Sequence, residues 1–153
     1  KWPNDIIINN KKISGILTEL SAEIERINYV VVGIGMNVKN TKFDGELEDK
    51  ATSIYKENYD LSRLEIVTEI IYEFEKLYKD YIENNRSEET INVCKEYSAI
   101  IGKEIYIIKG DERELVKCID LNKDGNLIIK DNNDSIREIM SGEVSIRGVK
   151  GYV

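Results

Sequence analysis

The chain has 153 residues, of which 41% are hydrophobic and 33% charged, and its formal net charge is −7. This length and apolar content suffice for a core in one domain or in two small ones. The negative charge opposes binding to a phosphate backbone as the main task. The sequence has no histidine, which excludes Ser-His-Asp triads, Cys-His pairs and His-ligated metals. Any chemistry must therefore use Lys, Arg, carboxylates, amides or backbone groups.

The sequence contains no run close to the ~18 apolar residues that a membrane span needs, and no basic stretch followed by an apolar one suggests a signal peptide. Cys94 and Cys118 lie far apart without a CxxC pattern. This spacing predicts two reduced core thiols rather than a disulfide or a zinc site. We expect a cytoplasmic protein with no membrane partner.

Residues 2–38 predict three strands, because apolar residues fall in short bursts at 6–8, 13–20 and 29–32 with polar turns between them. We expect a mostly antiparallel meander. The stretch YVVVGIGMNV is almost wholly apolar, which predicts a central place in its sheet.

The pattern then changes to that of a helix. Ser62 and Glu65 form a capping box, in which each side chain satisfies a backbone NH of the first turn. A stripe of apolar residues follows at helical spacing, and we interpret it as core packing. Its members are Leu64, Val67, Ile70, Ile71, Phe74, Leu77, Tyr78 and Tyr81. A second helix is predicted from about Ser87 to Tyr97, with Ile91, Cys94 and Tyr97 on its buried face.

From Gly102 onward the period returns to two. The segments EIYIIKG, ELVKCIDL, NLIIKD, SIREIM and VSIRGV are short strand candidates, linked by turns that contain Gly, Asn or Asp. They predict a small β-barrel or sandwich that begins after a boundary near 97–102.

The segment DLNKDGNLIIKD is a candidate calcium loop. Asp120, Asn122, Asp124, Gly125 and Asp131 nearly match the template. The flanking residues alternate like strands, however, whereas an EF-hand needs helices on both sides. A hairpin turned by Asp124 and Gly125 explains the same residues and is favoured. A calcium-binding β protein stays as an alternative.

The segment VVVGIGMNV places Gly33 and Gly35 in a strand. The dinucleotide-binding pattern GxGxxG fails, because Val38 stands where the third glycine belongs and no helix follows. Glycines weaken a strand, so they need a reason. Close approach of a ligand and a β-bulge are both open as that reason.

Five segments together resemble biotin protein ligases. In chain order they are KWPND, KKISGIL followed by Glu19, GIGMNV, ATSIY before the long helix, and GEVSIRG. KWPND and the lysine seven residues after its Asp, Lys12, are specific to that family. GIGMN and GEVSIR are weak by themselves.

The resemblance implies an ATP-dependent ligase. Such an enzyme activates biotin to biotinyl-5′-adenylate and transfers it to a lysine of a biotin carboxyl carrier domain, with ATP, biotin and Mg²⁺ as ligands. It also implies an α+β fold, in which part of a mixed or antiparallel sheet with helices is followed by a small SH3-like β-barrel. The implied domains are 1–98, part of the catalytic domain, and 99–153.

The resemblance also implies the site residues. Lys12 matches the active-site lysine, whose ammonium would lie beside the biotin carboxylate and the α-phosphate and offset their charge. Gly15, Gly33 and Gly35 match positions where biotin lies against the strands, so the resemblance favours the ligand over the bulge. The implied nucleotide-binding residues are Lys1, Asn4, Asn37 and Arg147. Asn4 and Asn37 would also lie near Mg²⁺.

The family's catalytic domain has an upstream half with a Gly/Arg-rich loop, and this sequence contains no such loop. We therefore expect a fragment that is inactive by itself. The expected partner is a carrier domain, a homodimer stays open, and no nucleic acid is expected to bind this part. A non-catalytic protein-binding β module is the other alternative.

Overall fold

The computed structural model describes residues 1–84, 87–142, 144–149 and 152, which form two antiparallel sheets and three helices. The strands are β1 (Asp5–Ile8), β2 (Lys11–Glu23), β3 (Arg26–Met36), β4 (Glu104–Lys109), β5 (Glu112–Leu121), β6 (Leu127–Lys130), β7 (Ile136–Ile139) and β8 (Ser145–Gly148). The helices are α1 (Leu47–Lys50), α2 (Arg63–Asn84) and α3 (Glu88–Glu96). The predicted α+β class is confirmed.

The chain divides into two compact units. The first is Pro3–Asp60, and the second combines Lys1–Trp2 with Leu61–Val153. The first unit contains β1 to β3 and the second contains β4 to β8. The domain boundary predicted at 98/99 stays a prediction, since compactness alone does not define a family's domains.

The first sheet is an antiparallel meander in the order β1-β2-β3, as predicted. The expected central place of the third strand is wrong, because β3 lies at an edge of this sheet and every residue from Arg26 to Gly35 is exposed. An apolar run records a preference for burial on both faces. It does not determine which strands pair.

Helix α2 begins at the predicted capping box. The Ser62 backbone NH donates to Glu65 Oε2 at 2.7 Å, and the Glu65 NH donates to Ser62 Oγ at 3.2 Å. The prediction that its apolar stripe is core packing is wrong for the described chain, in which no residue of α2 is buried. Periodicity defines an apolar face of a helix, but it does not identify what covers that face.

Helix α3 matches the second predicted helix, but its inward face differs from the expected one. Ile91 packs against the core of the second unit, whereas Cys94 and Tyr97 are exposed. Lys95, one turn after Ile91, pairs with Asp120 of β5 at 2.8 Å. The face toward the sheet therefore runs through residues four apart and leaves Cys94 outside.

The second sheet has the order β7-β6-β5-β4-β8, with every neighbouring pair antiparallel. Its five strands confirm the predicted ones. The buried residues of its core are Ile100, Ile105, Ile107, Val116, Cys118, Leu121, Leu127, Ile129 and Ile146. Within the described residues no ladder joins β7 to β8. The closed SH3-like barrel therefore stays a prediction.

The candidate calcium loop is the hairpin between β5 and β6. Asn122 Oδ1 accepts hydrogen bonds from the NH groups of Asp124 and Asn126, both at 2.9 Å, and Gly125 has a φ of +79°. This geometry gives the Asn and Gly a purpose in the turn itself. The part of the chain that the structure describes has no cluster of three His, Cys, Asp or Glu arranged for a metal.

The same hairpin binds the side chain of Trp2. Its indole packs against the core of the second unit, and Nε1 donates to the Gly125 carbonyl at 2.8 Å. A tryptophan near the start of the sequence is thus part of a packed unit with residues that follow it by more than a hundred positions.

Among the described helices, none is both long and apolar enough to cross a membrane.

The two cysteines should react at different rates. Cys118 is fully buried, and burial, with a smaller effect from the Asp120 charge, raises the pKa of its thiol to about 12, whereas Cys94 is exposed. The expectation of two core thiols is therefore wrong for Cys94. Because the thiolate is the reactive form, we expect a thiol reagent at neutral pH to modify Cys94 and to modify Cys118 only after unfolding. Peptide mass spectrometry measures both, and equal rates in the folded protein would contradict the burial of Cys118.

Candidate functional site

A hollow on the first sheet brings most of the predicted site residues together. Its lining residues are Asn4, Lys12, Gly15, Ile16, Leu17, Gly33, Ile34 and Gly35. A second hollow shares Lys12, Gly15 and Gly35 with it and also includes Asn37. The strands therefore place an ammonium, two amides and three glycines around adjoining spaces.

A β-bulge determines where Lys12 points. Ile6 pairs with Ser14 and Ile7 pairs with Lys12, so Ile13 is an extra residue in β2. Side chains alternate along a regular strand, and residues 12 and 15 would then lie on opposite faces. The bulge puts them on one face. Ile13 itself is only 2% exposed, and its burial holds the bulge in place.

The Lys12 side chain is paired with Asp5. Their Nζ and Oδ1 atoms lie 2.6 Å apart, with 39% of the lysine side chain and 11% of the aspartate side chain exposed. The Lys12 backbone is also fixed, because its carbonyl accepts a hydrogen bond from the Thr52 NH at 2.9 Å. The ammonium thus stands at the hollow on an anchored strand and beside a mostly buried carboxylate.

Gly15, Gly33 and Gly35 lie on the same face. Gly15 is directly opposite Gly35, and Gly33 is opposite Leu17, two residues from Gly15. The pairing is regular through this stretch, and the shift between β2 and β3 occurs only at Ser21. The β-bulge explanation for Gly33 and Gly35 is therefore wrong.

Neither backbone conformation nor crowding requires glycine at 33 or 35. Neither has a left-handed φ, and an added Cβ would meet its nearest described atom at 3.8 Å for Gly33 and 3.9 Å for Gly35, which is ordinary contact. At Gly15 the added Cβ would lie 3.0 Å from Lys12 Nζ. Gly33 and Gly35 thus leave an open face above β3, which suits close approach of a ligand.

The two predicted amides are held by backbone acceptors. Asn4 Nδ2 donates to the Ile16 carbonyl at 2.7 Å, and Asn37 Nδ2 donates to the Thr52 carbonyl at 3.0 Å. Each bond uses one of the two N–H donors of the amide and fixes its orientation, and Oδ1 is the atom that can bind a metal ion.

Lys1 and Arg147 belong to the second unit. The Lys1 ammonium lies 4.2 Å from the centroid of the Tyr152 ring, and Arg147, on β8, donates to the Ile146 carbonyl at 3.1 Å. The predicted contact of both with a nucleotide stays a prediction.

Sequence reasoning missed two features. The pairing of Asp5 with Lys12 depends on strand register, which a spacing of seven residues does not give. Ser14 is 2% exposed, and its Oγ has no hydrogen-bond partner among the described residues. No sequence signal distinguishes such a serine from one with a satisfied hydroxyl.

Alanine at 33 or 35 should not destabilise the fold. Glycine inside a strand costs about 0.5–1 kcal/mol relative to alanine, and the added methyl group meets only ordinary contacts at either position. We expect Gly33→Ala and Gly35→Ala to leave the free energy of unfolding equal or slightly higher, as measured by urea denaturation of the whole protein. A loss above about 1 kcal/mol would show that packing, rather than an open face, requires these glycines.

Comparison with known proteins identifies the family of the chain. Residues 1–37 match the model of the Biotin/lipoate A/B protein ligase family, and residues 100–147 match that of the Biotin protein ligase C terminal domain. The Bifunctional ligase/repressor BirA of Bacillus subtilis is 33% identical over 149 residues, which is 95% of this chain and 45% of that protein. The chain thus spans about half the length of this relative.

The fold is shared with a solved ligase. The biotin protein ligase from Aquifex aeolicus in complex with biotin and ATP superposes with a TM-score of 0.80 at 30% identity, over 96% of this chain and 60% of that one. The Biotin--[acetyl-CoA-carboxylase] ligase of Paracoccus denitrificans is 42% identical over 52 residues, which is 34% of this chain and 22% of that protein. Two family models, a 33% identical relative aligned over 95% of this chain and a common fold show that the chain belongs to the biotin protein ligase family.

Proposed function

We propose that the whole protein containing this chain activates biotin with ATP to biotinyl-5′-adenylate and transfers the biotin to a lysine of a biotin carboxyl carrier domain. One observation carries the proposal: Lys12 presents an ammonium, held by Asp5 at 2.6 Å, at the edge of a hollow lined by three glycines. The Aquifex relative solved with biotin and ATP supports both as substrates. The name of the Paracoccus relative supports a carboxylase as the acceptor.

The reaction needs a positive charge at this place. A carboxylate oxygen of biotin attacks the α-phosphorus of ATP, and pyrophosphate leaves as the new bond forms. Because both reactants are anions, a fixed ammonium beside them lowers the barrier. In the second step an acceptor amine attacks the acyl carbon, and AMP leaves. The glycine face would let the ring system of biotin lie against the strands.

The amides fit a magnesium ion that arrives with the nucleotide. Mg²⁺ keeps several waters and usually takes one or two protein oxygens together with substrate phosphates. The side-chain oxygens of Asn4 and Asn37 supply neutral donors of this kind, and the described residues hold no carboxylate cluster for a separate metal centre. Bound there, Mg²⁺ would offset phosphate charge. Lys1 and Arg147 are proposed to contact the nucleotide.

We propose that the protein is cytoplasmic and that this part of it binds no nucleic acid.

β1 and β3 both lie at edges of the first sheet, and an edge strand offers unpaired backbone groups to another chain. In the whole protein such an edge is available either to residues outside this chain or to a second copy, and a homodimer is one assembly that it allows. A non-catalytic binding module would form no adenylate, so the experiments below distinguish it from a ligase.

Replacing Lys12 should slow adenylate formation. Loss of one preorganised electrostatic contact costs about 10²–10³ in rate, or about 3–4 kcal/mol of barrier. We expect Lys12→Ala in the whole protein to show this loss in a single-turnover assay with labelled biotin and ATP, with the folded state unchanged by circular dichroism. The adjacent Lys11, whose Nζ donates to the Glu48 carbonyl at 3.1 Å, is the control, and Lys11→Ala should retain the rate. An unchanged rate in Lys12→Ala would refute the assignment.

The 153-residue chain by itself should not catalyse biotinylation. Gly33 and Gly35 are exposed and the Lys12 side chain is 39% exposed, so water reaches the anions and weakens each electrostatic contact. The purified chain would be incubated with ATP, Mg²⁺, labelled biotin and a carrier domain, beside the whole protein as positive control. We expect neither adenylate nor labelled carrier from the chain. Turnover near that of the whole protein would show that the described residues suffice.

A further inference from the structure

We propose that Asp5 is the positioning residue for Lys12, and that Gly15 is glycine because the ion pair occupies the space of its side chain. The inference rests on the proposed function and assigns two roles within it. Asp5 would not touch the substrates. It would act by holding the lysine ammonium in one place.

The first support is the geometry of the pair. Asp5 Oδ1 lies 2.6 Å from Lys12 Nζ, which is the distance of a strong hydrogen bond between charged groups. The aspartate side chain is 11% exposed, so its carboxylate is held by the sheet rather than by solvent. The lysine side chain is a flexible four-carbon stem that ends in a freely rotating ammonium group. Without a fixed partner, that ammonium would sample many positions along the open face.

The second support is the register of the strands. Asp5 is opposite Gly15, and Ile7 is opposite Lys12, so the bulge at Ile13 puts the aspartate, the glycine and the lysine on one face. The lysine can therefore fold back over Gly15 toward Asp5. In a regular strand it would point to the other face, away from the carboxylate.

The third support is the space at Gly15. A Cβ built there would lie 3.0 Å from Lys12 Nζ, 3.1 Å from Lys12 Cε and 3.6 Å from Asp5 Oδ1. The first two distances are tighter than nine in ten real Cβ contacts, so a methyl group would require the ammonium to move by a few tenths of an ångström. The added Cβ at Gly33 or Gly35 meets nothing closer than 3.8 Å. Crowding by the ion pair therefore singles out Gly15 from the other two glycines.

A carboxylate beside the lysine also cancels part of its charge, which by itself would slow an attack between anions. The arrangement helps only if the gain in position exceeds this loss, since a misplacement of about 1 Å can cost about a hundredfold in rate. A positioning role consequently predicts that Asp5 matters through Lys12 and has no independent effect on the chemistry.

The test is a double-mutant cycle on single-turnover adenylate formation in the whole protein. Asp5→Ala should lower the rate by about 10- to 100-fold. Asp5→Asn keeps an oxygen that accepts from the ammonium, so it should retain more activity. Gly15→Ala should also slow the reaction. In the Lys12→Ala background, Asp5→Ala should cause almost no further loss, because the group that it positions is gone.

A matched ion pair supplies the control. Lys95 and Asp120 form another Lys–Asp pair at 2.8 Å, between α3 and β5, and Asp120→Ala should leave the rate unchanged. Thermal unfolding of each variant separates loss of fold from loss of position, and Asp5→Asn keeps the test valid if Asp5→Ala does not fold. Equal rates for Asp5→Ala and the unsubstituted protein, or losses that multiply fully with Lys12→Ala, would overturn the positioning role. Absence of adenylate from the unsubstituted protein would instead overturn the proposed function.

Discussion

The extra residue in β2 is the constraint on which the candidate site depends. Because Ile13 is buried in a β-bulge, the regular alternation of side chains is interrupted between Lys12 and Gly15. The lysine, the aspartate opposite Gly15 and the glycine face then share one side of the sheet. A strand without the bulge would keep the same residues and disperse them over two faces. The burial of one isoleucine side chain thus determines where the Lys12 ammonium lies.

The residues of the candidate site contribute little to the stability of the fold. The Lys12 side chain is 39% exposed, and partly exposed ion pairs contribute little to folding. Glycines in the middle of strands cost stability rather than supply it, and Ser14 buries a hydroxyl without a hydrogen-bond partner in the described residues. Such departures from local rules are expected at functional sites, where position is worth more than packing.

The two units differ in how their apolar residues are used. The second unit buries a continuous set of aliphatic side chains between its strands and α3. The first buries few, among them Ile13, Val38 and Ala51, and leaves the apolar residues of β3 exposed, as α2 does in the second unit. Exposed apolar surface of this extent is typical of an interaction surface. The apolar stripe of α2 and the apolar face of β3 are therefore candidate interaction surfaces. The second sheet, in contrast, has a buried core of its own.

The sequence by itself determined the local elements and the family, since these depend on short-range chemistry. Period-two runs gave the strands, the pair Ser62 and Glu65 fixed the start of α2 through two backbone NH groups, and Asp124-Gly125 turned its hairpin. Motif order indicated the ligase family before any fold was known. Only the tertiary structure decided which faces are covered and which side chains meet. Strand register, a bulge and burial are set by contacts between residues far apart in the chain. For that reason β3 lies at an edge, Cys94 is exposed, and Asp5 lies beside Lys12, none of which spacing alone could establish.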